Sequence, residues 1–251
     1  KKVAAIIPVH ILGHSCDIIK LKDISSKFNI PIIEDAAEAV GVITENKHLG
    51  SFGLVGCFSF NGNKTITSGS GGMVVTNSKK IADKLKFLSE QAKSSGLEYI
   101  HSEIGYNYRM SNVHAAIGLA QLENIDKILK NKYKIANKYI EELKSIDGVS
   151  WVKQQKNSKS SWWLFTIKLE SKKFRVNVKT IMKKLNNKGI ETRLLWQPMH
   201  ISIPHRHSIM MGGKTSVNIY ENAISLPSSS GLSNSDQEKV ISELKNIIGH
   251  K

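Results

Sequence analysis

The sequence contains few of the features that mark secreted or membrane proteins. Two of its 251 residues are cysteines, Cys16 and Cys57, and they form no C-x-x-C pair, which favours a reducing cytoplasm. No apolar run approaches the length that spans a bilayer. Residues 1–8 have the pattern of a buried strand and lack a signal-peptide cleavage pattern. The sequence therefore predicts a cytoplasmic protein with no membrane partner.

Acidic residues are also scarce relative to basic ones. There are 21 Asp and Glu against 36 Lys and Arg, which gives a net charge of +15. Such a charge attracts nucleic acids, anionic membranes or phosphorylated substrates. The lysines are scattered over predicted helix faces, as at Lys127, Lys130 and Lys134, and no RNA-binding or helix-turn-helix signature accompanies them. A nucleic-acid-binding module would rest on charge alone, so we expect no nucleic-acid partner.

Strand and helix patterns alternate in the first half of the chain. Hydrophobic residues make up 40% of the sequence, enough for a substantial core. A strand pattern at 3–9, a helical period at 17–28 and a second strand pattern at 30–33 are typical of a parallel α/β sheet. Two strands, a helix and a long helical region are predicted to follow, at 52–60, 72–76, 78–91 and 111–146.

A different pattern begins near Trp151. Short strands alternate there with helical segments, at 151, 162–169, 177–187, 191–196 and 223–227, and a capping box at 235–238 opens the last helix. We therefore predict an α/β chain with two domains. Residues 1–124 would form part of a large α/β domain with a mainly parallel sheet, and residues 125–251 a linking helix and a small α+β domain.

The most informative pattern is a carboxylate and a lysine near two predicted strand ends. Asp35 follows the apolar run 30–33, and Lys64 lies just before the glycine-rich run 69–72. A lysine amine can form a Schiff base with pyridoxal phosphate (PLP), and a carboxylate can keep the pyridinium nitrogen protonated. On spacing alone a plainer interpretation is favoured, in which Lys64 is a surface lysine and Asp35 caps a helix.

Four sequence blocks, in a fixed order, strengthen the first interpretation. They are Ile33-Glu34-Asp35-Ala36-Ala37-Glu38-Ala39; Gly50-Ser51-Phe52-Gly53 with Cys57-Phe58-Ser59-Phe60 and Lys64; Gly105-Tyr106-Asn107-Tyr108-Arg109-Met110; and Ala115-Ala116-Ile117-Gly118-Leu119-Ala120-Gln121-Leu122. Together they resemble the nucleotide-sugar aminotransferases of fold type I, the aspartate aminotransferase fold, and the resemblance continues to the C-terminus. It implies that fold, PLP as cofactor, and amino transfer, because related sugar dehydratases have histidine in place of the lysine.

A narrower resemblance concerns the substrate. Residues 61–64, 87–92, 190–193 and 195–200 are similar to segments of enzymes in bacillosamine and legionaminic acid pathways. This similarity implies that the amino acceptor is a UDP-linked 4-keto-6-deoxy-N-acetylhexosamine, with L-glutamate as amino donor and a surface glycan or polysaccharide as destination.

The family resemblance also implies roles for five residues near the cofactor. Lys64 would form the Schiff base and move a proton to and from the sugar carbon, and Asp35 would pair with the ring nitrogen. Ser59 would bond the cofactor phosphate. Asn107 would reach the phosphate of the partner subunit's cofactor, which implies a homodimer. Glu38 would lie near the cofactor hydroxyl. From the residues alone, Ser59 is equally a polar strand residue, Asn107 a turn residue and Glu38 a surface residue.

Other residues are candidates for the nucleotide-sugar site. The same resemblance suggests Tyr108, Arg193 and His200. Trp162 and Trp163 would either belong to the core or flank that site. In a strand their rings would point to opposite faces, so we expect at least one of them in the core.

Two departures from the family pattern limit these expectations. Ser70 stands where many relatives have Glu, and the amino-terminal part that holds the phosphate-binding loop is expected to be missing. The second departure leaves open an alternative, a non-catalytic fragment whose fold survives without cofactor.

A metal site is the remaining alternative. His10 and His14 have the spacing of two zinc ligands on a helix, but Gly13 and the strand context argue against a helix there. We expect no metal.

Overall fold

The computed structural model describes residues 3–94, 96–170 and 172–249, which form two compact units. The first unit extends to Leu129 and includes residues 154–163, and the second contains Lys130–Lys153 and the residues from Leu164 onward. Residues 154–163, which the sequence pattern places in the second region, belong to the first unit, in which Ser158–Lys159 pairs with Ile43–Thr44 as an antiparallel neighbour.

The strands are short, and they are numbered here in chain order. They are Ile33–Asp35 (β1), Ile43–Thr44 (β2), Lys47–His48 (β3), Val55–Ser59 (β4), Gly72–Val75 (β5), Val149–Trp151 (β6), Ser158–Lys159 (β7), Phe165–Leu169 (β8), Arg193–Leu194 (β9) and Ala223–Leu226 (β10).

The α-helices account for most of the regular structure. They are Ile18–Phe28 (α1), Lys79–Ser89 (α2), Asn112–Glu123 (α3), Ile125–Leu143 (α4), Val178–Asn186 (α5), Lys214–Asn222 (α6) and Asn234–Ile248 (α7). Short 3-10 helices lie at Ile11–Gly13, Met199–Ile201 and Ile203–His205. No helix in the described part of the chain is long and apolar enough to cross a membrane.

The first unit contains a mixed three-stranded sheet in the order β1-β4-β5. β1 and β4 are parallel, with Asp35 opposite Cys57, and β5 is antiparallel to β4. One side of the sheet packs on α1 through a core that includes Ile18 and Ile32. A second sheet in this unit has the order β3-β2-β7.

The predicted strand at 3–9 is present only as two bridges. Ile6 bridges to Ile32 and Val9 to Asp35, both in parallel. The N–H of Ile33 donates to the oxygen of Ile6, and the N–H of Asp35 donates to that of Pro8. Pro8 has no N–H with which to continue the ladder, so the segment lies alongside β1 without forming a continuous strand.

The second unit contains an antiparallel sheet in the order β6-β8-β10-β9. The Tyr139 ring of α4 stacks on the Phe165 ring of β8, with centroids 4.9 Å apart. The Tyr139 hydroxyl donates to the oxygen of Pro227 over 2.8 Å, and the buried Lys132 amine donates to that of Ser228 over 2.8 Å. These bonds attach α4 to the chain that follows β10.

The long helical region predicted at 111–146 contains a break. α3 ends at Glu123, and the N–H of Asn124 donates back to the oxygen of Gln121 in a tight last turn before α4 begins. Ser111 caps the start of α3, since its hydroxyl accepts the N–H of His114. None of the twelve residues of α3 is buried in this chain.

Candidate functional site

The carboxyl ends of two parallel strands place Asp35 and Ser59 at one edge of the first unit's sheet. One oxygen of Asp35, Oδ1, accepts the N–H of Ala37 over 3.1 Å. In the described part of the chain the other oxygen, Oδ2, accepts no hydrogen bond. Asp35 therefore caps a turn and not the helix of the plainer interpretation, and it keeps one oxygen for a ligand.

Lys64 follows β4 in a turn and is largely enclosed. Its backbone N–H donates to the oxygen of Asn61 over 3.1 Å. Its amine nitrogen Nζ lies 3.8 Å from Oε1 of Glu38, and the two side chains are 13% and 14% exposed. The same Nζ lies 4.1 Å from the centroid of the Trp163 ring. Lys64 is thus no solvated surface charge, contrary to the plainer interpretation.

Glu38 lies between a backbone donor and the lysine. Its Oε2 accepts the N–H of Leu12 over 2.8 Å. Burial raises the pKa of the Glu38 carboxyl above its ordinary value, and the negative charge of Asp35 adds to this effect. The Leu12 bond and the positive charge of Lys64 oppose it without cancelling it. Glu38 therefore binds a proton more readily than an exposed glutamate does.

A buried network that the sequence pattern did not predict adjoins these residues, because Glu34 precedes Asp35 in β1. Glu34 and His10 are both 0% exposed, and His10 Nε2 lies 3.1 Å from Glu34 Oε2. His10 Nδ1 accepts the N–H of Cys16 over 3.4 Å, so the proton is on Nε2 and is donated to Glu34. Glu34 also accepts backbone N–H bonds from Gly50, Phe52 and Gly53, at 2.7, 2.6 and 2.6 Å.

These hydrogen bonds decide the charge of Glu34. Burial alone would raise the pKa of its carboxyl, but the bonds from His10, Gly53 and Gly50 together lower it. Glu34 therefore stays ionised and joins β1 to the loop before β4 and to the segment that begins at His10.

Trp162 and Trp163 are both buried, each 3% exposed. Neither lies in a strand, because Trp162 has a left-handed backbone conformation with φ of 50° and β8 begins only at Phe165. The alternation argument therefore does not apply to them. The Trp162 ring packs edge-to-face on His14, with centroids 4.6 Å apart, and Trp163 packs on Lys64. With His10 bonded to Glu34 and His14 packed on Trp162, the spacing of these two histidines reflects structural roles.

His14 should make the protein sensitive to acid. Burial removes the water that would solvate a charged ring and lowers the pKa of His14 from 6.5 to about 4. Because the folded-state pKa is the lower one, its stabilising contribution is complete above pH 6.5 and is lost as pH falls toward 4. The loss should reach about 3 kcal/mol near pH 4. We expect the free energy of unfolding of the His14→Phe variant, measured in urea at pH 7, 5.5 and 4.5, to fall less with decreasing pH than that of the wild type.

The exposed His205 provides the control for that experiment. His205→Phe removes an imidazole from a solvated position and should leave the pH dependence of unfolding unchanged. If the unfolding free energies of His14→Phe and the wild type fell equally with decreasing pH, the lowered pKa of His14 would not be the cause of the acid sensitivity.

Asn107 and Tyr108 lie on an exposed segment beside the end of α2. Asn107 bridges to Glu90 in an antiparallel pair, and the N–H of Tyr108 donates to the oxygen of Ser89 over 3.1 Å. The Tyr108 ring stacks on Tyr106, with centroids 5.0 Å apart. The backbone of this segment is fixed, while both predicted side chains face solvent in the single chain.

Arg193 and His200 belong to the second unit. Arg193, on β9, is mostly exposed and pairs with Glu191 at 2.8 Å. His200 lies in the 3-10 helix Met199–Ile201, and a Cβ added at Gly213 would be 2.8 Å from its Nε2, so the ring rests closely on that glycine. Their roles at a sugar site stay predictions.

The chain is similar to known proteins over nearly its whole length. The family described as "DegT/DnrJ/EryC1/StrS aminotransferase family" matches residues 1–245. GDP-perosamine synthase of Vibrio cholerae is 41% identical over 249 residues, covering 99% of this chain and 67% of that protein. GDP-perosamine synthase of Caulobacter vibrioides is 34% identical over 248 residues, covering 98% and 67%.

A solved structure agrees with these matches. PseC of Helicobacter pylori, an aminotransferase involved in the biosynthesis of pseudoaminic acid, superposes with a TM-score of 0.90 at 25% identity, covering 98% of this chain and 67% of that one. The chain thus spans about two thirds of the length of these relatives. The predicted family, fold type, enzyme class and PLP cofactor are confirmed, and the narrower resemblance to bacillosamine and legionaminic acid enzymes stays a prediction.

Proposed function

Since this chain belongs to the DegT/DnrJ/EryC1/StrS aminotransferase family, we propose that it transfers an amino group from L-glutamate to the keto carbon of a nucleotide-linked keto-deoxy sugar in the cytoplasm. The observation that supports this most directly is the position of Lys64. Its amine lies beside Glu38 in a largely enclosed pocket. Lys64 follows β4, which is the parallel neighbour of β1, the strand that ends at Asp35.

The residues of this pocket fit PLP. Among the residues that the structure describes, the Lys64 amine is held by a 3.8 Å ion pair and a ring contact alone, so it can react with the cofactor aldehyde. Oδ2 of Asp35, which accepts no bond in the described part of the chain, can pair with the pyridinium nitrogen. Ser59 uses its hydroxyl oxygen to accept the N–H of Asn61 over 3.4 Å and keeps its proton for a phosphate oxygen.

Each residue then has a distinct task in amino transfer. Bound PLP withdraws electrons from the carbon that bears the amino group and makes its proton acidic. Once released, Nζ of Lys64 would move a proton between that carbon and the cofactor carbon on the other side of the nitrogen. Asp35 would accept a hydrogen bond from the protonated ring nitrogen. Glu38, anchored by the N–H of Leu12, offers Oε1 to the lysine and to polar groups of the cofactor or sugar.

Two nucleotides are candidates for the acceptor sugar. The narrower sequence resemblance favours a UDP-linked 4-keto-6-deoxy-N-acetylhexosamine. The 41% identity to a GDP-perosamine synthase over 99% of the chain favours a GDP-linked sugar instead. In either case we propose that the product supplies a surface polysaccharide or glycan.

The proposed function is tested by incubating the chain with PLP, L-glutamate and each nucleotide-linked keto sugar in turn. Mass spectrometry should show the carbonyl oxygen replaced by an amino group, with a higher kcat/KM for one nucleotide. Separately, borohydride treatment with PLP should leave a pyridoxyl group on the peptide containing Lys64 and none on that containing the exposed Lys20. A folded protein that is unlabelled at Lys64 would favour the alternative of a non-catalytic fragment.

We also propose a homodimer, on the basis of an exposed apolar surface formed by α3. This helix buries none of its residues, although Val113, Ile117, Leu119 and Leu122 are between 46% and 70% exposed. These side chains lie on more than one side of the helix, and a helix that is apolar on several sides is normally buried by a partner. We propose that a second copy of the chain covers α3, because the family resemblance implies that Asn107 reaches the cofactor of a partner subunit.

Charges on α3 should therefore dissociate the dimer. We expect Leu119→Lys with Leu122→Lys to convert a particle of twice the chain mass into one of the chain mass, measured by light scattering after gel filtration. The matched control is Phe28→Lys, at a residue that is 60% exposed at the end of α1, which should leave the mass unchanged. A wild-type protein that is monomeric at micromolar concentration would overturn the proposal.

A further inference from the structure

Trp163 contacts both Lys64 and the residue that precedes it. The Lys64 amine lies 4.1 Å from the centre of the indole ring, which is cation–π distance. The indole Nε1–H donates to the backbone oxygen of Asn63 over 2.7 Å. One buried side chain thus holds the amine at its face and the backbone next to the lysine at its edge.

The loop that presents Trp163 is tightly constrained. The N–H of Ser161 and the hydroxyl of Ser160 both donate to the oxygen of Gly13, and the N–H of Trp162 donates to the Ser160 hydroxyl over 3.0 Å. Trp162 has a φ of 50°, a conformation that is disfavoured for residues other than glycine. A Cβ at Gly13 would lie 2.5 Å from the N of Trp163. These features keep the position of Trp163 fixed.

We propose that Trp163 is a positioning residue that holds the amine of Lys64 whenever the lysine is not joined to the cofactor. This inference rests on the proposed function for the role of Lys64. A free lysine side chain has four rotatable bonds and many rotamers, and the Glu38 oxygen at 3.8 Å is too distant to fix it alone. The electron-rich ring face stabilises the ammonium that Nζ becomes when it has taken a proton, and so keeps that proton in the site until it is returned.

The contact itself can be tested without cofactor, by a double-mutant cycle of Lys64→Met and Trp163→Leu. Trp163→Leu opens the core and will lower the folding equilibrium constant in any background. We expect that loss to be about tenfold smaller when Lys64 is already methionine, because the cation–π contact is then absent. A difference of less than twofold would overturn the proposal. Since this readout needs no PLP, it stands even if the proposed function fails.

The role in catalysis is tested with PLP-loaded protein and the sugar that the wild type uses. Trp163→Leu should lower kcat about tenfold and leave the KM for the sugar nucleotide unchanged. Trp163→Phe keeps a ring face but loses the N–H, and it should restore kcat to within about threefold of wild type. Trp151→Leu, in β6 of the second unit, is the control for loss of an indole and should not change kcat. A Phe variant as impaired as the Leu variant, or an effect on KM alone, would overturn the proposal.

Discussion

Replacing Lys64 with alanine is expected to lower kcat for amino transfer by at least about a thousandfold. The variant loses the amine that attaches the cofactor and the base that moves the proton, and no other cation is within salt-bridge distance of Glu38 in the described part of the chain. Transfer is measured by the appearance of the amino sugar, and cofactor attachment by borohydride labelling of the Lys64 peptide. Both signals should disappear together.

Lys64→Arg separates chemistry from charge. Arginine keeps a positive charge beside Glu38 but stays protonated and forms no Schiff base, so this variant should be as inactive as Lys64→Ala while unfolding at a similar urea concentration to wild type. Lys20→Ala, which removes an exposed lysine paired with Asp17, is the control and should keep full activity. Retention of more than a few per cent of activity in Lys64→Ala would show that another residue performs the chemistry.

Removing the Glu34 carboxylate should strongly destabilise the first unit. Glu34→Ala leaves His10 Nε2 and the N–H groups of Gly50, Phe52 and Gly53 without their acceptor. Leaving buried partners of an ionised group unsatisfied costs about 3–5 kcal/mol. Urea unfolding at pH 7 should therefore show a loss of about 4 kcal/mol.

The pH dependence of this loss identifies its cause. The pKa of Glu34 is lowered in the folded state, so the stability it contributes is present above its ordinary pKa and is lost as pH falls through the folded value. The difference between Glu34→Ala and wild type should therefore shrink in acid. Glu141→Ala, which removes an exposed carboxylate paired with Lys144, should cost under about 1 kcal/mol at any pH. Equal losses in the two variants would show that Glu34 is not a structural anchor.

The sequence was sufficient to predict the position of Asp35 in the fold. An apolar run that ends in a carboxylate predicts a residue at the carboxyl edge of a parallel sheet, and the structure has Asp35 at that edge, opposite Cys57. The order of the motifs then supplied the family. Glu34 could have been recognised too, since side chains alternate along a strand and the residue before Asp35 must point to the opposite, buried face.

Other parts of the site could not be read from local spacing. Glu34 meets its partners 16 to 24 residues away in the chain, and Trp163 reaches Asn63 across 100 residues. Local patterns predicted a strand from Trp162, but packing against Gly13 and His14 overrides that preference and gives Trp162 a left-handed conformation. The break at Asn124 was also missed, because no Gly or Pro marks the junction between the two helices.

The insertion of Lys130–Lys153 between the two parts of the first unit has a consequence for the order of folding. A nascent chain emerges from the ribosome N-terminus first, so β1, β4 and Lys64 are available long before Ser160 and Trp163 reach Gly13 and Asn63. Contacts between residues so distant in sequence form late, because closing the loop costs entropy before it yields bonds. The lysine pocket should therefore be the last part of this unit to close, and a chain stopped at Leu129 would leave it open.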